Sequence, residues 1–275
     1  TPQGEVYADI ADSAGEPFFF NGEQRFAYNV PHFAPSGPKT ISRGTFASSG
    51  VIVAENPNKP VTATYTFPQT GKFKLLCNFH PDMGMVVDVK PKGAAVPATP
   101  EAVLAKAQED TAAAWASARA LVAKKPPANT IYMGVDSRKQ SGGRTTVLDF
   151  VPNLTTVKAG TTVKFVVAAP SEAHNAAFGP LKYLEKLVGQ VDLFPGPPNS
   201  PNQLNPFFIY GSDPPGTPFE GGTMHGNGFY STPLADLLKG PPPSSFRVTF
   251  TQAGKYHFVC MLHGPDMAAD IRVTR

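Results

Sequence analysis

Two short segments of the chain carry cysteine, histidine and methionine at almost the same spacing. In each segment the histidine stands three residues after the cysteine, and a methionine follows four or five residues later. The two sets are Cys77, His80 and Met85, and Cys260, His263 and Met267. A soft thiolate, an imidazole and a thioether on one tight loop suit a copper ion that cycles between Cu(I) and Cu(II). The two segments therefore indicate copper chemistry.

A disulfide is the alternative use of the two cysteines, because the chain contains no others. A disulfide does not require a neighbouring histidine and methionine, whereas both Cys77 and Cys260 have them. We therefore favour metal binding over a disulfide.

Length and composition are compatible with two ordinary β-rich domains. The chain has 275 residues, of which 16% are charged, and it contains 30 prolines and 25 glycines. A net charge of +3 is too small to suggest a nucleic-acid partner. No apolar run approaches the roughly 20 residues of a membrane-spanning helix. Because the chain begins at Thr1, we expect that an upstream segment has been removed.

The similarity between the two halves extends beyond the cysteine loops. Residues 59–90 resemble residues 244–273, and in each stretch a Gly-Lys-aromatic triplet begins six residues before the cysteine. We interpret this as one structural unit used twice. Apolar side chains alternate in both stretches, which predicts strands of an antiparallel β-sandwich. The alternating sets are Ala63, Tyr65 and Phe67, then Phe73, Leu75 and Cys77, and in the second unit Phe246, Val248 and Phe250, then Tyr256, Phe258 and Cys260.

One helix is predicted between the two units. Thr99 can cap it, Pro100 suits its first position, and it should end near residues 124–125. Leu104 and Trp115 recur at helical spacing, so we expect the helix to be a spacer that packs on a sandwich through its Trp face. A partner-binding helix is the alternative. Residues 195–222, rich in Pro, Gly and Asn, are read either as a long ordered loop that shapes access to the site or as a surface loop.

The second unit resembles plastocyanin, pseudoazurin and other blue copper cupredoxins. The resemblance is carried by residues 156–165 (TVKAGTTVKF), by His174-Asn175 and by the Cys-x2-His-x3-Met motif, and it covers most of residues 145–275. It implies that His174 and His263 supply two imidazoles, Cys260 the thiolate and Met267 a weak axial thioether. It also implies that His263 is exposed and that Asn175 helps to hold the two ligand loops together. Three residues separate His263 from Met267 where plastocyanin and pseudoazurin have four, so site geometry and redox potential can differ. A scaffold that has lost its copper is the alternative.

The first unit matches the plastocyanin spacing at Cys77, His80 and Met85, but it has no counterpart of residues 156–165 upstream. Three explanations remain open. In the first the chain is a fragment, in the second another polypeptide donates the missing strands together with a histidine, and in the third His32 replaces the absent ligand. We favour a fragment or a donated strand over His32. Met83 is expected to pack rather than to bind.

The remaining histidines are assigned to other roles. His257 lies three residues from Cys260 in one strand and should point to the opposite face, so we expect it to be structural or exposed. His225 has no counterpart in the first unit and is expected in a loop near the site.

The predicted fold is mostly β, with two cupredoxin-like antiparallel Greek-key β-sandwiches joined by one long α-helix. The boundaries are residues 1–95 for an incomplete N-terminal domain, 96–128 for the linker helix and 129–275 for the C-terminal domain. The C-terminal domain is expected to include a long loop at residues 179–240.

The resemblance implies one-electron transfer by type 1 copper, with one or two copper ions per chain. Redox protein partners would dock transiently around His263, Leu262 and Pro265, and self-association through a donated strand is an option. An extracytoplasmic location is expected, and no transmembrane segment or nucleic-acid partner. A structural or copper-carrier protein built from cupredoxin modules is the alternative.

An oxidase or nitrite reductase is less favoured, and we expect the protein not to be an enzyme. Such enzymes resemble tandem cupredoxins but place a histidine directly beside the copper-binding cysteine. Here neither cysteine has a histidine directly before or after it in the sequence. The flanking residues are Leu76 and Asn78 at Cys77, and Val259 and Met261 at Cys260.

Overall fold

The computed structural model describes about two thirds of the chain, with most of the C-terminal half included. The described residues are 7–9, 19–20, 23–24, 26–28, 34–50, 52, 59, 61–77, 83–95, 98–137, 144–169, 172–188, 222–224, 230–232, 234–235 and 244–275. The predictions on His32, His80, His225 and nearly all of residues 195–222 lie outside these ranges.

Strands dominate the described residues, and two helices interrupt them. The strands of the N-terminal part are β1 (Tyr7–Asp9), β2 (Phe19–Phe20), β3 (Glu23–Gln24), β4 (Phe26–Tyr28), β5 (Pro35–Ser36), β6 (Ser48–Ser49), β7 (Gly71–Leu76) and β8 (Gly84–Val89). They are followed by α1 (Pro100–Val122), β9 (Thr130–Asp136), β10 (Thr146–Val151), β11 (Leu154–Lys158), β12 (Thr161–Ala168), β13 (Ala177–Phe178) and α2 (Leu181–Val188). The last strands are β14 (Gly222–Met224), β15 (Tyr230–Ser231), β16 (Ser245–Phe250), β17 (Gly254–Cys260) and β18 (Gly264–Thr274).

The described residues of the C-terminal half form two five-stranded sheets. Their spatial orders are β10-β9-β12-β16-β14 and β11-β18-β17-β13-β15. Most pairings are antiparallel, as predicted, but β9 with β12, β11 with β18 and β14 with β16 are parallel. Each parallel pair joins strands that are separated along the chain by at least one strand of the opposite sheet. At Gly160, which has a φ of +85°, the chain passes from β11 in one sheet to β12 in the other.

Aromatic side chains fill the space between the two sheets. Phe258 of one sheet lies 4.6 Å from Phe150 and 5.6 Å from Phe165 of the other, measured between ring centroids. The predicted alternation along β16 and β17 is confirmed, because its apolar members are buried. These members are Phe246, Val248, Phe250, Tyr256, Phe258 and Cys260. Their removal from water is the main stabilising contribution of the sandwich.

The helix α1 forms where the sequence predicts it. The Thr99 side chain accepts a hydrogen bond from the Ala102 N–H at 3.3 Å, and Pro100 occupies the first turn. The helix contacts the sandwich through Leu121, which is buried with Val135 and Val151.

The expected packing of the helix through Trp115 is wrong. The Trp115 side chain is 63% exposed and Leu104 is 61% exposed. The reason is helical geometry. Six residues separate Trp115 from the packed Leu121, so the two side chains point about 120° apart around the axis.

Cys77 directly follows β7, in a hairpin (β7–β8) that corresponds to the hairpin β17–β18 at Cys260. Strands β7 and β8 pair antiparallel from Gly71↔Val89 to Leu76↔Gly84, and β17 pairs with β18 in the same sense. The strand predicted through Ala63, Tyr65 and Phe67 is wrong, since within the described residues this stretch forms a single bridge, between Thr66 and Thr40. The division into two tandem domains stays a prediction.

No helix among the described residues combines the length and apolar character needed to span a bilayer.

Candidate metal centre

Three of the predicted ligands converge in the C-terminal sandwich. His174, Cys260 and His263 offer ligand atoms that all lie within 4.8 Å of one another. The Cys260 Sγ atom is 3.9 Å from His174 Nδ1, and the two imidazole rings are 4.9 Å apart between centroids. His174 and Cys260 are fully buried. Within the described ranges, this is the one cluster of its kind.

The backbone around these residues explains why they meet. Cys260 is the last residue of β17, and the His263 N–H donates to the Cys260 carbonyl oxygen at 3.2 Å, which closes a tight turn. Gly264, with a φ of +65°, then starts β18. On the opposite side, His174 is held by two backbone hydrogen bonds with Ala235, of 2.9 and 2.6 Å.

Asn175 connects the two ligand segments, as the resemblance implied. Its Oδ1 accepts a hydrogen bond of 2.8 Å from the Met261 N–H, and its Nδ2 donates to Ser231 Oγ at 3.2 Å. Asn175 and Ser231 are both fully buried. A buried amide that satisfies a backbone donor in the cysteine loop holds that loop against the histidine segment.

Gly134 makes room for the His174 ring. A Cβ atom at Gly134 would lie 2.6 Å from His174 Nε2 and 2.8 Å from the Ala169 Cβ, and the residue has a φ of +65°. Only glycine fits both the backbone conformation and the space.

The donor set fits a soft or borderline transition metal ion such as copper. His263 Nδ1 and His174 Nε2 are buried and have no hydrogen-bond partner in the described part of the chain. The other ring nitrogen of His263, Nε2, is bonded to the Glu172 carboxylate. An unpartnered Nδ1 beside a thiol and a second imidazole leaves nitrogen and sulfur lone pairs available to a metal.

In the metal-free site, the thiolate form of Cys260 and the protonated form of His263 are both favoured, so a metal that binds His263 displaces a proton. Burial by itself raises the pKa of Cys260, but the neighbouring His174 and His263 imidazoles outweigh it and lower the pKa to about 5. Burial lowers the pKa of His263, whereas its contacts with Cys260 and Glu172 raise that pKa to about 9. The thiolate, which is the form that binds metals, is therefore stabilised inside the fold.

Comparisons with known proteins give structural neighbours only. No protein-family model and no curated protein match the chain. Among solved structures, auracyanin A, a "blue" copper protein from Chloroflexus aurantiacus, is 19% identical with a TM-score of 0.30, covering 53% of this chain and 96% of its own. Oxidised plastocyanin from Dryopteris crassirhizoma is 16% identical with a TM-score of 0.26, covering 53% and 99%. A reduced mutant of amicyanin is 16% identical with a TM-score of 0.25, covering 46% and 74%.

These neighbours are blue copper cupredoxins. This chain is similar to them and carries a His-Cys-His site.

Met267, the expected axial ligand, lies in β18 and is fully buried. It belongs to the same apolar cluster as Cys260. Its contact with a metal stays a prediction.

His263 is less accessible than the resemblance implied. Only 13% of its side chain is exposed, because Glu172 occupies its outer nitrogen. Helix α2 also approaches the turn, with Val188 Cγ1 3.3 Å from the position of a Cβ on Gly264. Leu262 and Pro265, beside it, are exposed.

The first cysteine has no comparable surroundings among the described residues. Cys77 is partly buried, and its N–H donates to the Met83 carbonyl oxygen at 2.8 Å. Met83 and Met85 are each 59% exposed. Cys77 and Cys260 are not joined by a disulfide in this structure, so the disulfide alternative is wrong here. Copper binding at Cys77, His80 and Met85 stays a prediction.

His257 has the structural role expected of it. Its Nδ1 lies 3.0 Å from Asp270 Oδ1 on the neighbouring strand, and Lys255 pairs with the same carboxylate at 2.9 Å.

Sequence reasoning missed two residues that shape the site. Glu172 contacts a histidine 91 positions away, and Gly134 lies against His174 from a strand that carries no ligand. Glu172 stands two residues before His174, but no local pattern links it to His263. The only available signal for Gly134 was a glycine inside an apolar strand pattern, which often marks a close approach.

Proposed function

We propose that this protein transfers single electrons through a copper ion bound by His174, Cys260 and His263, with Met267 as a weak fourth ligand. The observation that carries the proposal is the convergence of two imidazoles and one thiolate in a buried site. A trigonal His2Cys set with a long axial thioether is the donor set of blue copper electron-transfer sites. Copper bound there would supply a one-electron Cu(I)/Cu(II) couple.

The chain's contribution is to hold the donors in one arrangement. Asn175 ties the Met261 backbone to the His174 segment, and the turn at His263 is closed by the Cys260 carbonyl oxygen. Hydrogen bonds of this kind limit the movement of the ligands between oxidation states. The buried surroundings of Cys260 exclude water from the thiolate.

Electrons would leave the site near the turn that carries His263. Leu262 and Pro265 are exposed beside this turn and form an apolar docking patch. Redox partners would dock there transiently, with interfaces typically below about 1,200 Å².

We also propose that the protein works outside the cytoplasm, as expected of cupredoxin-like electron carriers. It would not be an enzyme, because no histidine adjoins either cysteine to connect a second copper centre.

Copper loading tests this function. The metal-free protein titrated with Cu(II) should develop an intense thiolate-to-copper absorption band at about 600 nm. The band should disappear on one-electron reduction and return on oxidation. Cys260→Ser should abolish it, while Cys77→Ser is the matched control. A wild-type protein that stays colourless with copper would rule the function out, and steady consumption of oxygen or nitrite would point to an enzyme instead.

A further inference from the structure

The outer nitrogen of His263 is bonded to a carboxylate rather than open to solvent. Glu172 Oε2 contacts His263 Nε2, and the two side chains are only 14% and 13% exposed. The residues are 91 positions apart, so the fold and not the local sequence creates the contact. A carboxylate and an imidazole held together at such low exposure make a defined pair.

This contact determines which nitrogen of His263 can bind a metal. An ionised carboxylate only accepts hydrogen bonds, so Nε2 must carry the hydrogen. In the neutral ring the lone pair is then on Nδ1, which is the buried nitrogen without a hydrogen-bond partner in the described residues. Histidines that bind metals are commonly oriented by a carboxylate in this way.

We propose that Glu172 is a positioning residue for the metal centre. It keeps His263 in the tautomer that presents Nδ1 to the ion, and its negative charge favours Cu(II) over Cu(I). This inference rests on the proposed function, since it assigns a role toward the same copper site.

The test compares Glu172→Gln and Glu172→Ala with the wild type. Asp266→Asn is the matched control, because Asp266 is an exposed carboxylate three residues after His263, near the start of β18. We expect both Glu172 variants to bind Cu(II) about 10- to 100-fold more weakly, with a smaller effect on Cu(I) and hence a higher reduction potential. The control should stay within about twofold of the wild type.

In the diamagnetic Cu(I) protein, NMR should show a His263 Nε2–H that exchanges slowly with water and loses this protection in both Glu172 variants.

The outcomes separate this inference from the function itself. If the wild type binds no copper or has no blue band, the proposed function fails. If the wild type is blue but Glu172→Gln leaves Cu(II) affinity, potential and Nε2–H exchange unchanged, only the role of Glu172 is overturned. Equal shifts in Asp266→Asn would also overturn it, because they would indicate a general charge effect.

A second inference concerns helix α1 and is independent of copper. Leu104, Trp115 and Val122 lie on one face of this helix, since intervals of 11 and 7 residues correspond to nearly whole numbers of turns. They are 61%, 63% and 44% exposed, although they are the largest apolar side chains on that face. Polar Gln108 and Thr111 lie between Leu104 and Trp115 on this face, so the stripe consists of separate apolar contact points along one side of the helix.

Charges beside the stripe indicate what kind of surface it fits. Glu101 in the first turn and Arg119 in the last turn are both exposed, and at 100° per residue they flank the same side of the stripe. When two copies of this helix pair antiparallel, the side of the stripe that carries Glu101 and Arg119 in one copy faces the same side in the other copy. Glu101 of one copy would then lie opposite Arg119 of the other, with the two helix dipoles also opposed favourably.

We infer that the stripe pairs two copies of this chain, antiparallel, about a two-fold axis near residue 110. Trp115 of each copy packs against Leu104 of the other, and the many alanines of α1 allow close approach. One pair of helices buries less area than a standard interface, so the dimer is weak and concentration-dependent.

Sedimentation across a concentration series tests the pairing. The wild type should shift from monomer to dimer as concentration rises, and Trp115→Glu should stay monomeric. Glu101→Arg and Arg119→Glu should each weaken the dimer, and the double charge reversal should restore it. Lys106→Ala, on the opposite face, is the control. A wild type that is monomeric throughout, or a dimer that survives Trp115→Glu with circular dichroism showing an intact fold, would overturn the inference.

Discussion

At the scale of single residues, the position of His174 depends on the absence of a side chain at Gly134. We predict that Gly134→Ala lowers copper affinity by at least about 10-fold, because the new Cβ would lie 2.6 Å from His174 Nε2. The left-handed φ of +65° adds a backbone cost of about 1 kcal/mol to the free energy of folding. Affinity is measured by competition with a chelator, and folding by urea denaturation.

The variant Gly160→Ala separates the backbone cost of an alanine at positive φ from the steric clash with His174. Gly160 has a φ of +85° and no atom within 4 Å of a Cβ at that position. It should lose stability like Gly134→Ala but keep wild-type copper affinity. Equal copper affinity in both variants would contradict the steric explanation.

The thioether of Met267 can be tested without disturbing the core. Met267→Leu conserves volume, so it should cost less than about 1.5 kcal/mol in unfolding free energy. Copper should still bind, but the reduction potential should rise because a weak axial sulfur donor is lost. Met133→Leu, at an equally buried methionine, should leave the potential unchanged. The potential is measured by protein-film voltammetry, and an unchanged value in Met267→Leu would show that the sulfur is not a ligand.

At the scale of elements, the site is a junction between the β17–β18 turn and the segment that carries His174. We predict that Asn175→Ala lowers the unfolding free energy of the metal-free protein by about 1–3 kcal/mol, because the buried Met261 N–H loses its acceptor. Ser231→Ala should cost less, since the Met261 N–H keeps its acceptor, Asn175 Oδ1, in that variant. Urea denaturation gives both values, and equal losses would argue against Asn175 as the connection between the loops.

At the scale of the whole molecule, copper should stabilise the fold at one site per chain. We predict one equivalent of tightly bound copper and, with free copper at 100 times the dissociation constant, a gain of about 2.7 kcal/mol in unfolding free energy. The gain should vanish in Cys260→Ser and persist in Cys77→Ser. Metal analysis and thermal denaturation provide the measurements. Two equivalents, with the second lost in Cys77→Ser, would show that the N-terminal set also binds.

Much of the C-terminal half could be predicted from local patterns. Period-two alternation identified β16 and β17, the glycine at 160 marked the turn between β11 and β12, and Thr99 with Pro100 marked the start of α1. These features depend on residues close together in the chain. The packing of Trp115 and the strand through Tyr65 were wrongly predicted, because a periodic apolar pattern does not specify which surface, if any, will cover it.

By itself, the sequence determined the chemistry that is available: two cysteines in matching histidine and methionine contexts, of which the second has His174 upstream in a His-Asn pair. Tertiary structure alone decided that His174 and Cys260, 86 residues apart, approach to 3.9 Å, that Glu172 takes the outer nitrogen of His263, and that a glycine faces His174. The physical reason is that ligand types and strand periods are local properties. Contacts across the sandwich are instead fixed by how two sheets stack and which strands cross between them.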